Sequence, residues 1–191
     1  MTDLTPLAGL SSLATVNLRG NRVGSVAPLG RMAGLTFLDL AGNALTDVSG
    51  LAGATALETL VLRNNTVADI SALASLGRLT TVDLDSNQVA DASPLGALPR
   101  LTALSLAFNA IEDLAGLPAL LRGTSLSLEH NHVSDLTPLA GMPAVRYVYL
   151  GGNRVSDLTP LRHANWLLGL DLPDNRIDDL SPLAELDGLE W

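Results

Sequence analysis

One asparagine recurs every 22 residues along this chain, without a single insertion or deletion. The eight positions are Asn21, Asn43, Asn65, Asn87, Asn109, Asn131, Asn153 and Asn175. A fixed period of this length is typical of a solenoid, in which each repeat is one structural unit that packs only on its neighbours. The repeat therefore limits the possible folds more strongly than any other feature of the sequence.

Apolar residues keep the same 22-residue register as the asparagines. In the third repeat they stand at Leu57, Leu60, Leu62, Val67, Ile70 and Leu73. Their spacing is close to three residues, whereas a long α-helix requires about 3.6 and a flat strand requires about 2. Only the Leu-x-Leu segment has the period of a strand, so each repeat is predicted to be a short strand followed by turns. One such coil cannot bury its own apolar side chains, but stacked coils share a continuous core.

The repeated unit resembles the leucine-rich repeats, in particular the 22-residue class found in bacterial internalins. The segments LTFLDLAGNALTDVSGL, LTTVDLDSNQVADASPL and VRYVYLGGNRVSDLTPL carry this resemblance, which extends over nearly the whole chain. It implies an α/β repeat solenoid: a right-handed leucine-rich-repeat horseshoe or arc, with a parallel concave β-sheet and a convex side of turns and short 3₁₀ segments. We therefore expect a single domain over residues 1–191, built of about eight coils.

The repeated asparagine falls where each coil leaves its strand. A buried amide at this point can bond backbone groups of its own coil and of the neighbouring coil. Leaving those groups unpaired would cost roughly 1–3 kcal/mol per site. We therefore predict that the eight asparagines form a structural ladder along the solenoid.

Two further features of the repeat are predicted to build its convex turns. Aspartate follows most of the asparagines by four residues, for example at Asp47, Asp69 and Asp91, and suits hydrogen bonding to a turn backbone. A Ser-Pro or Thr-Pro pair comes next in several repeats, as at Thr137-Pro138, and predicts a helix N-cap and first turn. One acid per coil gives no tight cluster of oxygens, so these aspartates do not indicate a calcium site.

The charge and composition argue against several classes of function. The chain has 20 acidic and 11 basic residues, for a net charge of −9, which disfavours binding to nucleic acid or to an anionic membrane surface. It has no cysteine, so disulfides, thiolate zinc sites and cysteine nucleophiles are excluded. No apolar run reaches the roughly 18 residues of a transmembrane helix, and we expect no membrane insertion. No cofactor is predicted.

Both ends of the chain fall within a repeat rather than between repeats. Residues 1–10 correspond to the convex half of a coil, and residues 189–191 stand where a ninth strand would begin. We interpret the chain as a fragment without dedicated caps, whose bare ends favour end-to-end association. The sixth repeat is irregular because Gly123 replaces the expected leucine. Leu121 is predicted either to fill that space or to lie in a locally loose coil.

Residues between the strand leucines are predicted to face outward from the concave sheet. Three of the six aromatic residues fall there, at Phe37, Tyr147 and Tyr149, and Phe108 is a further candidate beside them. Exposed tyrosine is a frequent anchor of protein interfaces. The charged residues of these positions are Arg19, Asp39, Arg63, Asp83, Asp85, Glu129 and Asp171. Their acidic majority predicts a partner with a basic or amphipathic surface, and the alternative is a solvated sheet whose charges serve solubility.

Catalytic and metal-binding arrangements have little support in the sequence. Residues 129–132 include two histidines, but two are too few for a zinc centre, and Asn131 between them belongs to the ladder. A catalytic triad would need a serine, a histidine and an acid in contact. Ser127 and His130 supply two of these residue types, but their spacing does not support the geometry of a triad. We therefore predict no metal site and no enzymatic activity.

The fixed framework and variable concave positions predict a non-catalytic module that binds a protein partner. The resemblance to internalins implies a bacterial protein at the cell surface or in the medium. A first alternative is a cytoplasmic regulatory scaffold, because similar repeats also serve as phosphatase-binding subunits. A second is a targeting domain of a larger effector enzyme, and a third is a structural array without a partner.

Overall fold

Each 22-residue repeat forms one short strand, and the strands stack side by side. The structure, a computed structural model, describes residues 1–117 and 125–190. Its strands are β1 (Thr15–Asn17), β2 (Phe37–Asp39), β3 (Thr59–Val61), β4 (Thr81–Asp83), β5 (Ala103–Ser105), β6 (Ser125–Ser127), β7 (Tyr147–Tyr149) and β8 (Gly169–Asp171). They form one parallel sheet in chain order, and paired residues are 22 positions apart, as in Thr15 with Phe37.

The return path of most coils contains a short 3₁₀ turn. In the described residues these turns lie at Thr5–Leu7, Ala27–Arg31, Ser49–Leu51, Ser71–Ser75, Ser93–Ala97, Thr137–Gly141, Thr159–Leu161 and Ser181–Leu183. Within the same ranges the chain forms no α-helix. The parallel sheet with short 3₁₀ turns confirms the predicted leucine-rich-repeat solenoid. Leu121, Gly123 and Trp191 lie outside the described residues, so what was predicted for them stays a prediction.

The inward positions of the repeat form one continuous apolar core. In the third coil Leu57, Leu60 and Leu62 are fully buried, and so are Val67 and Leu73 after the asparagine. Full burial of such a side chain contributes about 1.5–3 kcal/mol relative to its exposure. The three-residue spacing of the sequence is therefore the spacing of inward-facing side chains around one coil.

The repeated asparagines connect each coil to the one before it. The Nδ2 atom of Asn65 donates to the carbonyl of Leu62 in its own coil at 2.7 Å and to that of Leu40 in the preceding coil at 3.0 Å. Its Oδ1 accepts the N–H of Leu45 at 3.0 Å. The same three bonds recur in every coil from Asn43 to Asn175. The carbonyl of the leucine three residues before an asparagine therefore accepts two hydrogen bonds, one from the asparagine of its own coil and one from that of the next coil.

The residue directly before each of these asparagines has a left-handed backbone. These residues, which we call the rim column, are Gly20, Gly42, Asn64, Ser86, Phe108, His130, Gly152 and Asp174, and their φ angles lie between 52° and 69°. Glycine adopts this conformation without strain, whereas a side chain with a Cβ atom carries a cost of roughly 1–2 kcal/mol. The conformation turns the chain sharply out of the strand so that the asparagine amide points back into the coil.

The aspartate four residues after the asparagine holds the start of the 3₁₀ turn. Asp135 Oδ1 accepts the N–H of Thr137 at 2.8 Å, and this turn has proline at its second position. The prediction that the Ser or Thr caps the turn with its side chain is wrong: its hydroxyl makes no capping bond, and the N-cap position is taken by Leu136. The serine or threonine instead donates to the aspartate, and these hydrogen bonds lower the pKa of the carboxylates. The affected residues are Asp3, Asp47, Asp69, Asp91, Asp135, Asp157 and Asp179.

We predict that Asn65→Ala lowers the free energy of unfolding by about 2–5 kcal/mol, because it leaves backbone groups of two coils without their partner. The matched control is Asn64→Gly at the neighbouring rim position, which has φ of 55° and suits glycine. That variant is expected to change the unfolding free energy by less than about 1 kcal/mol. Urea titration followed by circular dichroism measures both, and equal stability of Asn65→Ala and the parent chain would contradict the role of the ladder.

A second prediction concerns the close approach of two convex turns at Gly50. A Cβ atom on Gly50 would lie 2.7 Å from the backbone N and Cα atoms of Ala27 in the preceding coil. We expect Gly50→Ala to destabilise the fold by about 1–3 kcal/mol, because the backbone must move apart. Gly77→Ala is the control, since a Cβ atom there would have no atom within 4 Å. Thermal melts of the two variants should differ, and a loss of stability in both would show that the contact is not responsible.

A third prediction follows from the lowered pKa of Asp179. Its Oδ1 accepts the N–H of Ser181 and its Oδ2 accepts the Ser181 hydroxyl, both at 2.8 Å. Its folded pKa lies below its unfolded value, so the carboxylate stabilises the fold above about pH 4 and this stabilisation is lost as the pH falls through the folded pKa. Asp179→Asn should therefore lower the Tm at pH 7, and its difference from the parent chain should shrink as the pH falls below about 4. Thermal melts over this pH range measure the difference, and a pH-independent difference for Asp179→Asn would contradict the assignment.

Candidate functional site

The concave face of the sheet carries the outward-facing residues of every strand. On β7, Tyr147 and Tyr149 flank the buried Val148, so both tyrosine side chains project from this face. Each tyrosine is partly buried rather than fully exposed. Phe37 on β2 occupies the same column as Tyr147, is also partly buried, and lies five strands away. The two tyrosines are therefore neighbours, whereas Phe37 belongs to a separate part of the face.

Three polar residues of the concave face bond the backbone of their own coil. The Oδ1 atoms of Asn17, Asp39 and Asp83 accept the N–H two residues ahead, at 3.1, 2.9 and 3.1 Å. This bond holds the side chain against the end of the strand, and Asp39 is only 6% exposed. The prediction that Asp39 is an exposed contact residue is therefore wrong. An aspartate suits this position because Asp and Asn side chains hydrogen-bond the nearby backbone in turns.

Asp171 stands in the same column on β8 but cannot make this bond. The residue two positions ahead of it is Pro173, which has no N–H to donate. Asp171 is partly exposed and lies beside Tyr149 in the register of the sheet. Its carboxylate is therefore placed next to a tyrosine on the concave face.

Asp85 and Glu129 stand near the carboxyl ends of the strands, two coils apart. Asp85 Oδ1 accepts the hydroxyl of Ser105 at 2.6 Å and the N–H of Ala107 at 2.8 Å, both from the next coil. Glu129 accepts the hydroxyl of Ser127 in its own coil. Ala107 lies between the two acids and is 5% exposed. These bonds hold both carboxylates on the same side of the sheet, and with Asp83 they form what we call the acidic centre.

The electrostatics of the acidic centre are set by burial and by neighbouring charges. Burial is the main cause that raises the pKa of Asp83, and the carboxylate of Asp85 adds to the increase, whereas the Asp85 N–H and the Arg63 guanidinium oppose it. Arg63 is partly buried, and Arg19 is exposed two coils further towards the N-terminus. The arginines therefore lie on one side of the acidic centre, and the tyrosines lie on the other.

A further group of side chains occupies the rim column. Phe108 is 54% exposed, and its ring stacks on that of His130 in the next coil, with 4.2 Å between the ring centroids and 20° between the planes. His130 lies against Gly152, where a Cβ atom would come within 2.6 Å of the His130 Nδ1. The sequence did not reveal this rim stack of Phe108, His130 and Gly152. Its residues are 22 positions apart, and only their backbone conformation brings the rings face to face.

The described residues offer no arrangement for metal chemistry, because no three His, Asp or Glu side chains there come together as metal ligands. The two candidate histidines are both exposed, and His130 is engaged in the rim stack. Within the same residues, no helix has the length and apolar character needed to cross a bilayer.

Comparison with protein families and curated proteins supports the repeat assignment. The family described as "Leucine Rich repeats (2 copies)" matches residues 33–75 and 77–119. A comparison with curated proteins gives no match.

Solved structures give matches along the whole chain. An internalin C2 of Listeria monocytogenes is 32% identical with a TM-score of 0.69, and the match covers 99% of this chain and 74% of that one. The internalin inlF of the same species is 27% identical with a TM-score of 0.81, covering 98% of this chain and 62% of that one. A leucine-rich-repeat protein of Leptospira interrogans shares the fold at 24% identity, with a TM-score of 0.88 and coverage of 98% and 50%.

This chain therefore spans less than two thirds of inlF and half of the Leptospira protein. Its match to internalin C2 extends across the ladder, the concave sheet and the convex turns together. By this identity over nearly its whole length, the chain belongs to the leucine-rich-repeat proteins of the internalin-like type.

Proposed function

We propose that this chain is a non-catalytic binding module whose concave face holds a protein partner. Proteins of this fold and family are typically binding modules. The observation that carries the proposal is the pair Tyr147 and Tyr149, which project from one strand on the concave face. Tyrosine combines a large apolar ring with a hydroxyl group, and it is enriched among the residues that dominate interface energies.

The residues that pair with the two tyrosines in the sheet have smaller side chains. Tyr147 is paired in register with Ser125 on one side and Gly169 on the other. Tyr149 is paired with Ser127 and Asp171. Because these neighbours are smaller than tyrosine, the two rings are the largest side chains on this part of the concave face.

The charge of the concave face supports a partner with a basic or amphipathic surface. Asp83, Asp85 and Glu129 lie in coils four to six, and Asp171 lies beyond the tyrosines in coil eight. Acidic residues therefore stand on both sides of the aromatic pair. Complementary charge of this kind accelerates encounter and selects the partner more than it adds affinity.

The internalins of Listeria monocytogenes support a location for this module. We propose that the chain is part of a bacterial protein that is secreted or displayed at the cell surface, where its concave face meets a protein of another cell. The low tyrosine content of the chain, with both tyrosines on one strand, fits a single interface rather than a generally aromatic surface.

We predict that Tyr147→Ala with Tyr149→Ala weakens partner binding about 30-fold or more, which corresponds to the loss of a hot spot of about 2 kcal/mol. The Tm should fall by no more than about 4 °C, because partly buried rings contribute little to the core. The chain is immobilised and exposed separately to an extract of cell-surface proteins and to a cytosolic extract. Retained proteins are identified by mass spectrometry, and their affinities are measured individually.

The control variant is Arg162→Ala with His163→Ala, which removes two exposed side chains on the convex side of the same coil. It should retain every protein that the parent chain retains. Binding that survives in the tyrosine variant and disappears in the convex variant would place the interface on the convex side and refute the proposal. Retention from the cytosolic extract alone would refute the proposed location.

A further inference from the structure

We infer that the rim stack is a receptor for an arginine side chain of the protein partner. The inference deepens the proposed function and rests on it, because it specifies which chemical group of the partner meets this edge of the sheet. It begins from an aromatic ring that the fold does not require. Phe108 is 54% exposed and lies outside the apolar core.

The stack is closed at one end and open at the other. His130 covers one face of the Phe108 ring, and His130 itself lies on Gly152. The second face of Phe108 is therefore turned towards coil four, where the rim residue is Ser86. Because serine is small, a planar group can lie on the second face of the ring and continue the stack towards coil four.

The carboxylates beside this open face determine which planar group is favoured. Asp85 directly precedes Ser86, and its Oδ1 reaches the N–H of Ala107, the residue before Phe108. Glu129 directly precedes His130, and the Phe108 N–H donates to the Glu129 carbonyl at 2.8 Å. The Asp85 carboxylate thus lies against the backbone next to Phe108, and Glu129 adds a second negative charge one residue before His130 in the chain. A guanidinium group is planar and cationic, stacks on aromatic faces and pairs with carboxylates, so it meets both requirements at once.

Lysine and neutral aromatic side chains each meet only one of these requirements. An ammonium group pairs with a carboxylate but presents no plane to continue the stack. A phenyl ring continues the stack but leaves Asp85 and Glu129 without a counter-charge. The structure therefore assigns arginine as the occupant of the open face.

The test uses short probes and needs no knowledge of the partner. The probes are the capped peptides acetyl-Gly-Arg-Gly-amide, acetyl-Gly-citrulline-Gly-amide and acetyl-Gly-Phe-Gly-amide. Citrulline keeps the planar shape of arginine and lacks its charge. Ring signals of Phe108 and His130 are followed by NMR at pH 7 and low ionic strength. We expect the arginine peptide to shift both rings and to bind at least fivefold more tightly than either other peptide.

Two variants examine the ring and the charge separately. Phe108→Asn removes the ring with a residue that tolerates the left-handed backbone, and it should abolish the shift at His130. Asp85→Asn retains an oxygen that can accept the bonds from Ser105 and Ala107, and it should weaken arginine binding at least fivefold. Glu185→Gln, which removes one exposed charge after the convex turn of coil eight, is the control and should leave the affinity unchanged.

Several results would overturn the inference. They are an absence of shifts at Phe108 and His130, equal binding of the citrulline or phenylalanine peptide, and an Asp85→Asn variant that binds arginine as well as the parent chain. None of them would affect the proposed function, which depends on the tyrosines. Conversely, a partner lost with Phe108→Asn and retained by the tyrosine variant would support the arginine receptor and refute the central position of Tyr147 and Tyr149.

Discussion

The amide of the repeated asparagine is the interaction on which the rest of the structure depends. Each strand has only three residues, so the chain leaves the sheet almost as soon as it enters, with its backbone groups still inside the coil. The amide supplies a donor and an acceptor at that point, and the carbonyl of Leu40 accepts from both Asn43 and Asn65. An added or missing residue before the asparagine would move its amide away from these partners. The constant period of 22 residues follows from this geometry.

The same constraint determines which positions are available for function. The inward leucines form the core, the asparagine holds the coil, and the aspartate holds the convex turn. What remains on the sheet side are the outward strand positions and the rim column. Some of these positions also serve the fold, because the carboxylates of Asp39 and Asp83 accept backbone N–H groups at the end of their own strands. Only part of the negative charge on this face is therefore present for a partner.

The fold was predictable from the sequence because its signal is repeated eight times and depends on spacing alone. The concave site was only partly predictable. Alternation correctly indicated that Tyr147 and Tyr149 share a face, but it does not distinguish an exposed acid from one that bonds its own backbone, as Asp39 does. The Ser or Thr cap was misassigned for a similar reason, because both Asp135 and Thr137 are capping types and only geometry shows which of them accepts the bond. Local pairing of polar groups is decided by distances that spacing does not contain.

The rim stack shows most clearly that residue spacing does not predict contacts between side chains. The left-handed rim position favours glycine, and Gly20, Gly42 and Gly152 occupy it without strain. A phenylalanine there carries a backbone cost and exposes more than half of its surface, and its contact with His130 recovers only part of that loss. Folding alone therefore gives little reason for an aromatic ring at this place. A ligand that covers its open face would supply the missing contact, and the carboxylates on either side of Ala107 favour a ligand with positive charge.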